Sequence, residues 1–237
     1  MTDRPFPRDL LRRDAPEAAG NLLGARLIRG RGPSARVGRI VEVEAYAGQE
    51  DMASHARFGP TTRNRVMFGS PGLAYVYLVY GMYSCLNVVT GEPGRAGALL
   101  VRAVEPLAGV EAMREARLAW LERPRANESD PRGGFGAERI SRARRRIESL
   151  PESALAAGPG LVCAAFSIGR GDDSVDLCDP GSDLRLETGP GDDDPAVETG
   201  PRVGIGYAPE PWLSRPWRYW LKGRTAVSKP PRSHGGT

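Results

Sequence analysis

The run RIVEVEAY, residues 39–46, places two carboxylates and a phenol at alternate positions: Glu42, Glu44 and Tyr46. In an extended strand, side chains alternate between faces, so these three share one face while Val41, Val43 and Ala45 take the other. Two carboxylates roughly 7 Å apart on one strand face suit general-base chemistry or the binding of a divalent cation. A sheet edge with its polar face in water satisfies the same pattern. His55, one of only two histidines in the chain, follows in a polar, turn-rich stretch.

A second concentration of chemistry is YVYLVYGMY, residues 75–83, which holds Tyr75, Tyr77, Tyr80 and Tyr83, four of the seven tyrosines in 237 residues. Two strand-like runs meet there across Gly81. Tyr75 and Tyr77 share a strand face, and Tyr80 sits beside the turn with Met82 just beyond it. An aromatic at a hairpin tip can wedge between bases, and aromatics lower on the strand can stack on a base held outside the duplex. Cross-strand packing of tyrosines accounts for the pattern equally well. Asn87 in CLNVV and Arg102 in LLVRAVEP are polar groups inside apolar strands, where each needs a partner. Each is therefore a sheet-internal hydrogen bonder or a pocket-lining residue. Arg63 and Arg65 in TTRNRVMF are candidate contacts to a DNA backbone, or solvated surface arginines.

The elements that must position these groups follow from periodicity. Asp14 and Pro16 open a helix reaching about Gly24. ARLIR and VGRIVEVEAY read as strands separated by GRGPSA. Residues 48–71 read as polar with helical pieces. AYVYLVY, SCLNVVT and GALLVRAVEP are strands, and LAGVEAMREARLAWL has helical spacing. Residues 122–157 read as an exposed polar insertion, GPGLVCAAFSIG as a buried turn and helix, RVGIGYA and RYWLKG as closing strands, and 229–237 as a flexible C-terminal tail. There is no strict βαβ alternation, no GxGxxG and no GxxxxGK[ST]. The fold class expected is therefore α+β with a mixed sheet rather than a doubly wound nucleotide fold.

Composition narrows the classes further. No apolar run reaches the ~18 residues of a membrane helix, and MTDRPFPRDL lacks the pattern of a signal peptide. Cys85, Cys163 and Cys178 are odd in number and lack metal-ligand spacing, reading as reduced thiols of a cytoplasmic protein. Of 33 basic residues, 31 are arginine, within a net charge of +4. Residues 172–198 carry ten acids against Arg185 alone, so the rest of the chain is strongly basic. That distribution is compatible with a polyanionic partner and equally with ordinary solvated charge.

Taken in order, EVEAYAGQEDMASHA, RNRVMFGSPGLAYVYLVYGMYSCLNVVTG, GALLVRAVEPLAGVEAMR, GPG, RVGIGYA and RYWLKG closely resemble the alkyladenine family of 3-methyladenine DNA glycosylases, over about residues 8–228. The resemblance implies a single glycosylase domain over 1–228, with a curved, mostly antiparallel sheet flanked by helices and a protruding hairpin that enters DNA. It implies a monofunctional enzyme that flips alkylated or deaminated purines out of duplex DNA and hydrolyses the N-glycosidic bond, without cofactor or metal, as a monomer on double-stranded DNA with no membrane partner. Carried over by position, Glu44 is the general base and Arg102 helps to position the water. Tyr46, His55 and Tyr77 enclose the base, Asn87 disfavours guanine, and Tyr80 is the intercalating residue with Met82 beside it. Leu161 stands where many relatives carry a lysine, and HARFGPTTRN departs from the family's arginine- and glycine-containing loop. The residues leave two other readings open: a metal-dependent nuclease using Glu42, Glu44 and His55, and a lesion-binding protein that flips bases without cutting.

Overall fold

A computed structural model describes residues 4–79, 82–123, 133–189 and 196–228. The fold is a single-domain α+β structure around a curled antiparallel sheet. The strands are β1 (Arg26–Arg29), β2 (Arg36–Tyr46), β3 (Ala74–Val79), β4 (Tyr83–Val89), β5 (Ala98–Ala108), β6 (Leu184–Glu187), β7 (Val197–Gly200) and β8 (Arg218–Leu221). The helices are α1 (Ala15–Leu22), α2 (Val110–Leu121), α3 (Gly133–Glu148) and α4 (Pro159–Ala165). Strand order runs β3-β4-β5-β2-β1-β6, with β8 pairing both β2 and β7.

The long strand β2 organises everything. One edge pairs with β5 along its length; the other is shared, with β1 taking Arg36–Arg39 and β8 taking Glu42–Glu44. Val41, Val43 and Ala45 point into the apolar core, against which α1 lays Ala15, Ala18, Ala19 and Leu22, an i, i+3, i+4, i+7 stripe. Pro16 sits in the first turn of α1, and the Asp14 carbonyl, rather than its side chain, accepts the N–H groups of Glu17 and Ala18. The polar face of β2 is not a solvated edge. Glu42 and Glu44 are both 0% exposed, so each carboxylate must be satisfied inside the protein.

Register irregularities in the β2–β5 ladder place Arg102 on that face. Ile40 pairs with Val104, Glu42 with Ala103 and Val43 with Val101, so Arg102 has no direct opposite on β2. A bulge of this kind re-aims a side chain, and here the guanidinium reaches between the two carboxylates.

Elsewhere several expectations need correcting. RVGIGYA is a string of turns, not a strand, with Gly204 at φ +80. Strand β6 lies inside the acidic segment and β7 begins at its end, where charged LRLE and VETG hide the alternation. That segment is partly neutralised within the chain, Asp176 pairing Arg8 at 2.6 Å and Asp172 pairing Arg29 at 2.7 Å. Of the segment read as an exposed insertion, α3 presents exposed residues from 138 to 142. Its far end differs, with Leu155 and Ala156 buried in the core and Ala157 bridging Ala103.

Candidate active site

The two carboxylates of β2 are held in different ways, and the difference sorts their roles. Glu42 Oε1 accepts Arg102 Nε at 2.8 Å, Arg218 Nε at 2.7 Å and Ser228 Oγ at 2.8 Å, while Oε2 accepts the Ser228 backbone N–H at 2.6 Å. Four donors hold it, two of them guanidinium N–H groups, with three on Oε1 and one on Oε2. Glu44 has three. Its Oε1 accepts the Val203 N–H at 2.7 Å and pairs with Arg102 Nη1 at 3.1 Å, and its Oε2 accepts the Tyr46 hydroxyl at 2.9 Å. One acceptor position on Oε2 remains for a further donor such as water. Glu42, gripped by two guanidinium groups, is therefore the anchor of Arg102, and Glu44 is the carboxylate whose partners, Tyr46, Arg102 and Val203, all line the adjacent cavity.

Electrostatics agree with this division. Burial pushes the Glu44 carboxyl above its ordinary value. Arg102, the Val203 N–H and the Tyr46 hydroxyl pull it back, while Glu42 adds to the rise. A carboxylate raised in this way is a stronger base than one in water. Arg102 is held cationic by its two carboxylate neighbours against the opposing effect of burial.

Beside this group lies a cavity of about 760 Å³, lined in part by Tyr46, His55, Tyr77, Asn87, Arg102 and Leu161. Its aromatic wall is layered. The His55 ring meets Tyr77 edge-on at 4.4 Å between centroids, and Tyr77 lies 5.4 Å from Tyr75. His55 Nδ1 contacts the Tyr75 hydroxyl at 3.0 Å. Burial, reinforced by Arg63 and Arg57, lowers the His55 pKa to about 4. The ring is thus neutral at physiological pH, an aromatic surface rather than a cation.

Asn87 is buried opposite Tyr75 in the β3–β4 ladder and donates from Nδ2 to the Tyr75 carbonyl at 3.0 Å. Tyr83 stacks on Trp120 at 4.7 Å and touches the cavity. The backbone of α4 comes so close that a Cβ on Gly160 would stand 2.7 Å from the Tyr83 ring, which only glycine avoids. Leu161, at the same helix start, puts an apolar side chain on the cavity wall.

Of the residues singled out from the sequence, Arg102, Tyr46, His55, Tyr77 and Asn87 line one cavity, and Glu44, itself fully buried, lies behind that lining and is held by three residues of it, Tyr46, Arg102 and Val203. Arg63 joins them: its guanidinium sits 5.6 Å over the Tyr77 ring and Nη2 donates to the Leu78 carbonyl at 3.3 Å. Arg65 is exposed at the start of a 3-10 turn, Arg65–Phe68. Met82 is 48% exposed on the β3–β4 hairpin, and Tyr80 lies outside the described residues.

Sequence reasoning missed the support beneath the site. Arg202 and Asp51, both fully buried, form a two-bond ion pair at 2.5 and 2.9 Å. Arg202 also donates to the Ala45 carbonyl at 2.9 Å and lies under the Tyr46 ring at 4.8 Å. Its neighbour Val203 donates to Glu44. Asp51 in turn accepts the Ala47 and Ala53 N–H groups, fixing the turn that leads to His55. At that turn a Cβ on Gly48 would come 2.2 Å from the Ala96 carbonyl oxygen, and its φ is +80. The only sequence signal for any of this was RVGIGYA itself, read as a strand.

The metal-nuclease reading needs Glu42, Glu44 and His55 to converge on one ion. Glu42 is already held by two guanidinium groups and by Ser228, and no cluster of three or more His, Cys, Asp or Glu groups suited to a metal occurs among the described residues. Comparison with known proteins gives a direct answer. The model of the family Methylpurine-DNA glycosylase (MPG) matches residues 9–225. The chain belongs to this family. As a methylpurine-DNA glycosylase it is a DNA-repair hydrolase acting on N-glycosyl bonds.

Relatives bear the name "Putative 3-methyladenine DNA glycosylase". One, from Methanocella arvoryzae, is 43% identical over 225 residues, covering 94% of this chain and 96% of the relative. Another, from Myxococcus xanthus, is 38% identical over 95% of this chain and 94% of its own length. A third, from Frankia casuarinae, is 44% identical over 82% of this chain and 81% of its own.

Proposed function

We propose that this methylpurine-DNA glycosylase draws a 3-methyladenine-class alkylated or deaminated purine out of duplex DNA into the aromatic cavity and hydrolyses its N-glycosidic bond with a water activated by Glu44. The observation that carries this reading is that Glu44 is held by Tyr46, Arg102 and Val203, all of which line that cavity, whereas Glu42 is tied to Arg218 and Ser228, which do not. A water donating to the remaining Oε2 position of Glu44 gives up its proton there as it attacks C1′ of the sugar. The anionic carboxylate also favours the cationic, oxocarbenium-like sugar as the bond to the purine lengthens. Arg102 holds Glu44 in place and joins it in orienting the water.

The flipped base rests against Tyr46, Tyr77 and the neutral His55. Cationic bases such as 3-methyladenine interact well with electron-rich ring faces and leave without prior protonation. Asn87, locked to the Tyr75 carbonyl, sits where a guanine amino group meets a fixed obstacle. Extrusion costs about a few kcal/mol, and we assign Tyr80, with Met82 next to it, to filling the gap on the hairpin side. No lysine is needed for a Schiff base, and Lys222 and Lys229 are the only two in the chain. The protein works as a monomer in the cytoplasm, by the same reading.

The test is release of free methyladenine from methylated duplex DNA in the presence of EDTA, followed by alkali. The reading expects free base, intact strands before alkali and nicks after it. Strand breaks before alkali, abolished by EDTA, would instead establish the nuclease.

A further inference from the structure

The loop that delivers His55 to the cavity also carries Phe58, and Phe58 is 80% exposed. Such exposure of a phenylalanine in an ordered loop calls for a partner. The loop is built stiffly. Buried Asn64 donates to the His55 and Gly59 carbonyls at 2.9 and 3.0 Å and accepts the Thr61 N–H at 2.6 Å, closing the segment on itself. The Arg57 guanidinium lies between two rings, 4.7 Å from the Phe58 centroid and 5.5 Å from that of Tyr207. Arg57 Nη1 donates to the Ser54 carbonyl at 3.2 Å, and the Tyr207 hydroxyl donates to the Ala53 carbonyl at 2.9 Å. Tyr207 is 61% exposed, yet it and Ala53 line the cavity. No carboxylate pairs with Arg57 among the described residues.

We infer that Phe58, Arg57 and Tyr207 form a second DNA-contacting lip at the mouth of the cavity, in which Phe58 stacks on the duplex beside the extruded nucleotide and Arg57 takes a phosphate. This rests on the function proposed above, because DNA is the occupant that continuity with a base-accepting cavity implies. The chemistry matches: an exposed ring offers a sequence-tolerant stacking face, and an arginine without a carboxylate partner offers its donors to a phosphate. Holding the guanidinium between two rings and the loop on Asn64 removes ordering costs before DNA arrives.

The experiment is fluorescence anisotropy of the full chain with a duplex carrying one tetrahydrofuran abasic-site analogue, at a series of salt concentrations. Phe58→Ala is expected to weaken binding roughly tenfold, the scale of one lost base stack. Phe58→Trp restores the affinity, and Phe58→Leu does not. Arg57→Ala lowers the slope of log affinity against log salt by about 0.9, the signature of one phosphate contact. Because Phe58 is exposed, the thermal midpoint of Phe58→Ala stays at the wild-type value. Phe58→Ala within twofold of wild type, or an unchanged salt slope for Arg57→Ala, would overturn the lip. Wild-type protein that binds neither plain nor abasic duplex would overturn the proposed function instead.

Discussion

Replacing Glu42 by glutamine changes one oxygen to an amide nitrogen and almost nothing in volume, yet its consequences are large and have a definite sign. Glu42, Glu44, Arg102 and Arg218 form a charge-balanced buried group, two minus and two plus. In Glu42→Gln, the amide oxygen takes the Oε1 position and keeps three donors. The NH₂ then faces the Ser228 N–H that Oε2 accepted at 2.6 Å, a donor against a donor. Two guanidinium groups are left with one carboxylate. Breaking a buried pair by removing one partner costs about 3–5 kcal/mol, which at this chain length lowers the melting temperature by roughly 10 °C. Glu44 responds in the opposite direction. It loses the negative neighbour that raises its pKa and gains a larger share of Arg102, so its pKa falls. The assay is urea denaturation together with a pH profile of single-turnover base release. The expected result is lower stability and an acidic limb displaced to lower pH. Unchanged stability, or a limb displaced upward, would refute the assignment of Glu42 as the anchor of Arg102.

Other consequences can be checked independently. Asp51→Asn removes the charge opposite fully buried Arg202 and frees the platform under Tyr46, so it lowers stability by about 3–5 kcal/mol; differential scanning calorimetry reads this directly. His55, with its pKa lowered to about 4 in the folded chain, contributes stability that is present above the unfolded value near 6.5 and lost as pH falls through 4. That is about 3 kcal/mol in all, measured as the difference in urea midpoint between wild type and His55→Phe across that window. Arg102→Lys keeps the charge but cannot bridge Glu42 and Glu44 with one planar group, and single-turnover excision is expected to fall about 100-fold or more. In the wild type, the acidic limb of the pH–rate profile lies above the ordinary carboxylate range, because burial raises Glu44; a limb within or below that range would contradict it.

Much of the site was legible because its residues are chemically out of place. Glu44 and Tyr46 alternate with core valines on one strand, Arg102 and Asn87 interrupt apolar strands, and His55 is nearly alone of its kind. Their assembly follows largely from adjacency in the sheet: β3, β4 and β5 pair in chain order, β2 closes against β5, and the loop after β2 carries His55. The support was not legible, because it comes from far away. Val203 reaches Glu44 across 159 residues and Ser228 reaches Glu42 across 186, and no local pattern marks a backbone N–H as a carboxylate partner. Two errors have local causes. RVGIGYA carries a period-2 apolar signal that its glycines break, Gly204 adopting a positive φ. Conversely, β6 and β7 are four-residue strands whose charged side chains obscured them; in β6 these are buried in a mutual ion pair, Arg185 to Glu187 at 3.0 Å. The burial of Glu42 was also hidden, since an alternating VEVE reads as a wet face until both sides of β2 prove to be covered.

The most direct test of the central claim compares wild type with Glu44→Gln in single-turnover excision from a duplex with one hypoxanthine and, separately, from methylated DNA, alongside anisotropy on the same DNA. Glutamine keeps the shape and an acceptor for the Val203 N–H but cannot take a proton from water. The account predicts that damaged DNA is still bound and that release of the base and alkali-dependent nicking fall by about three orders of magnitude, within the range of general-base catalysis. Excision within tenfold of wild type would contradict it and move the base to another residue. Wild-type protein that binds the damaged duplex but releases no base from either substrate would make this chain a binder rather than an enzyme.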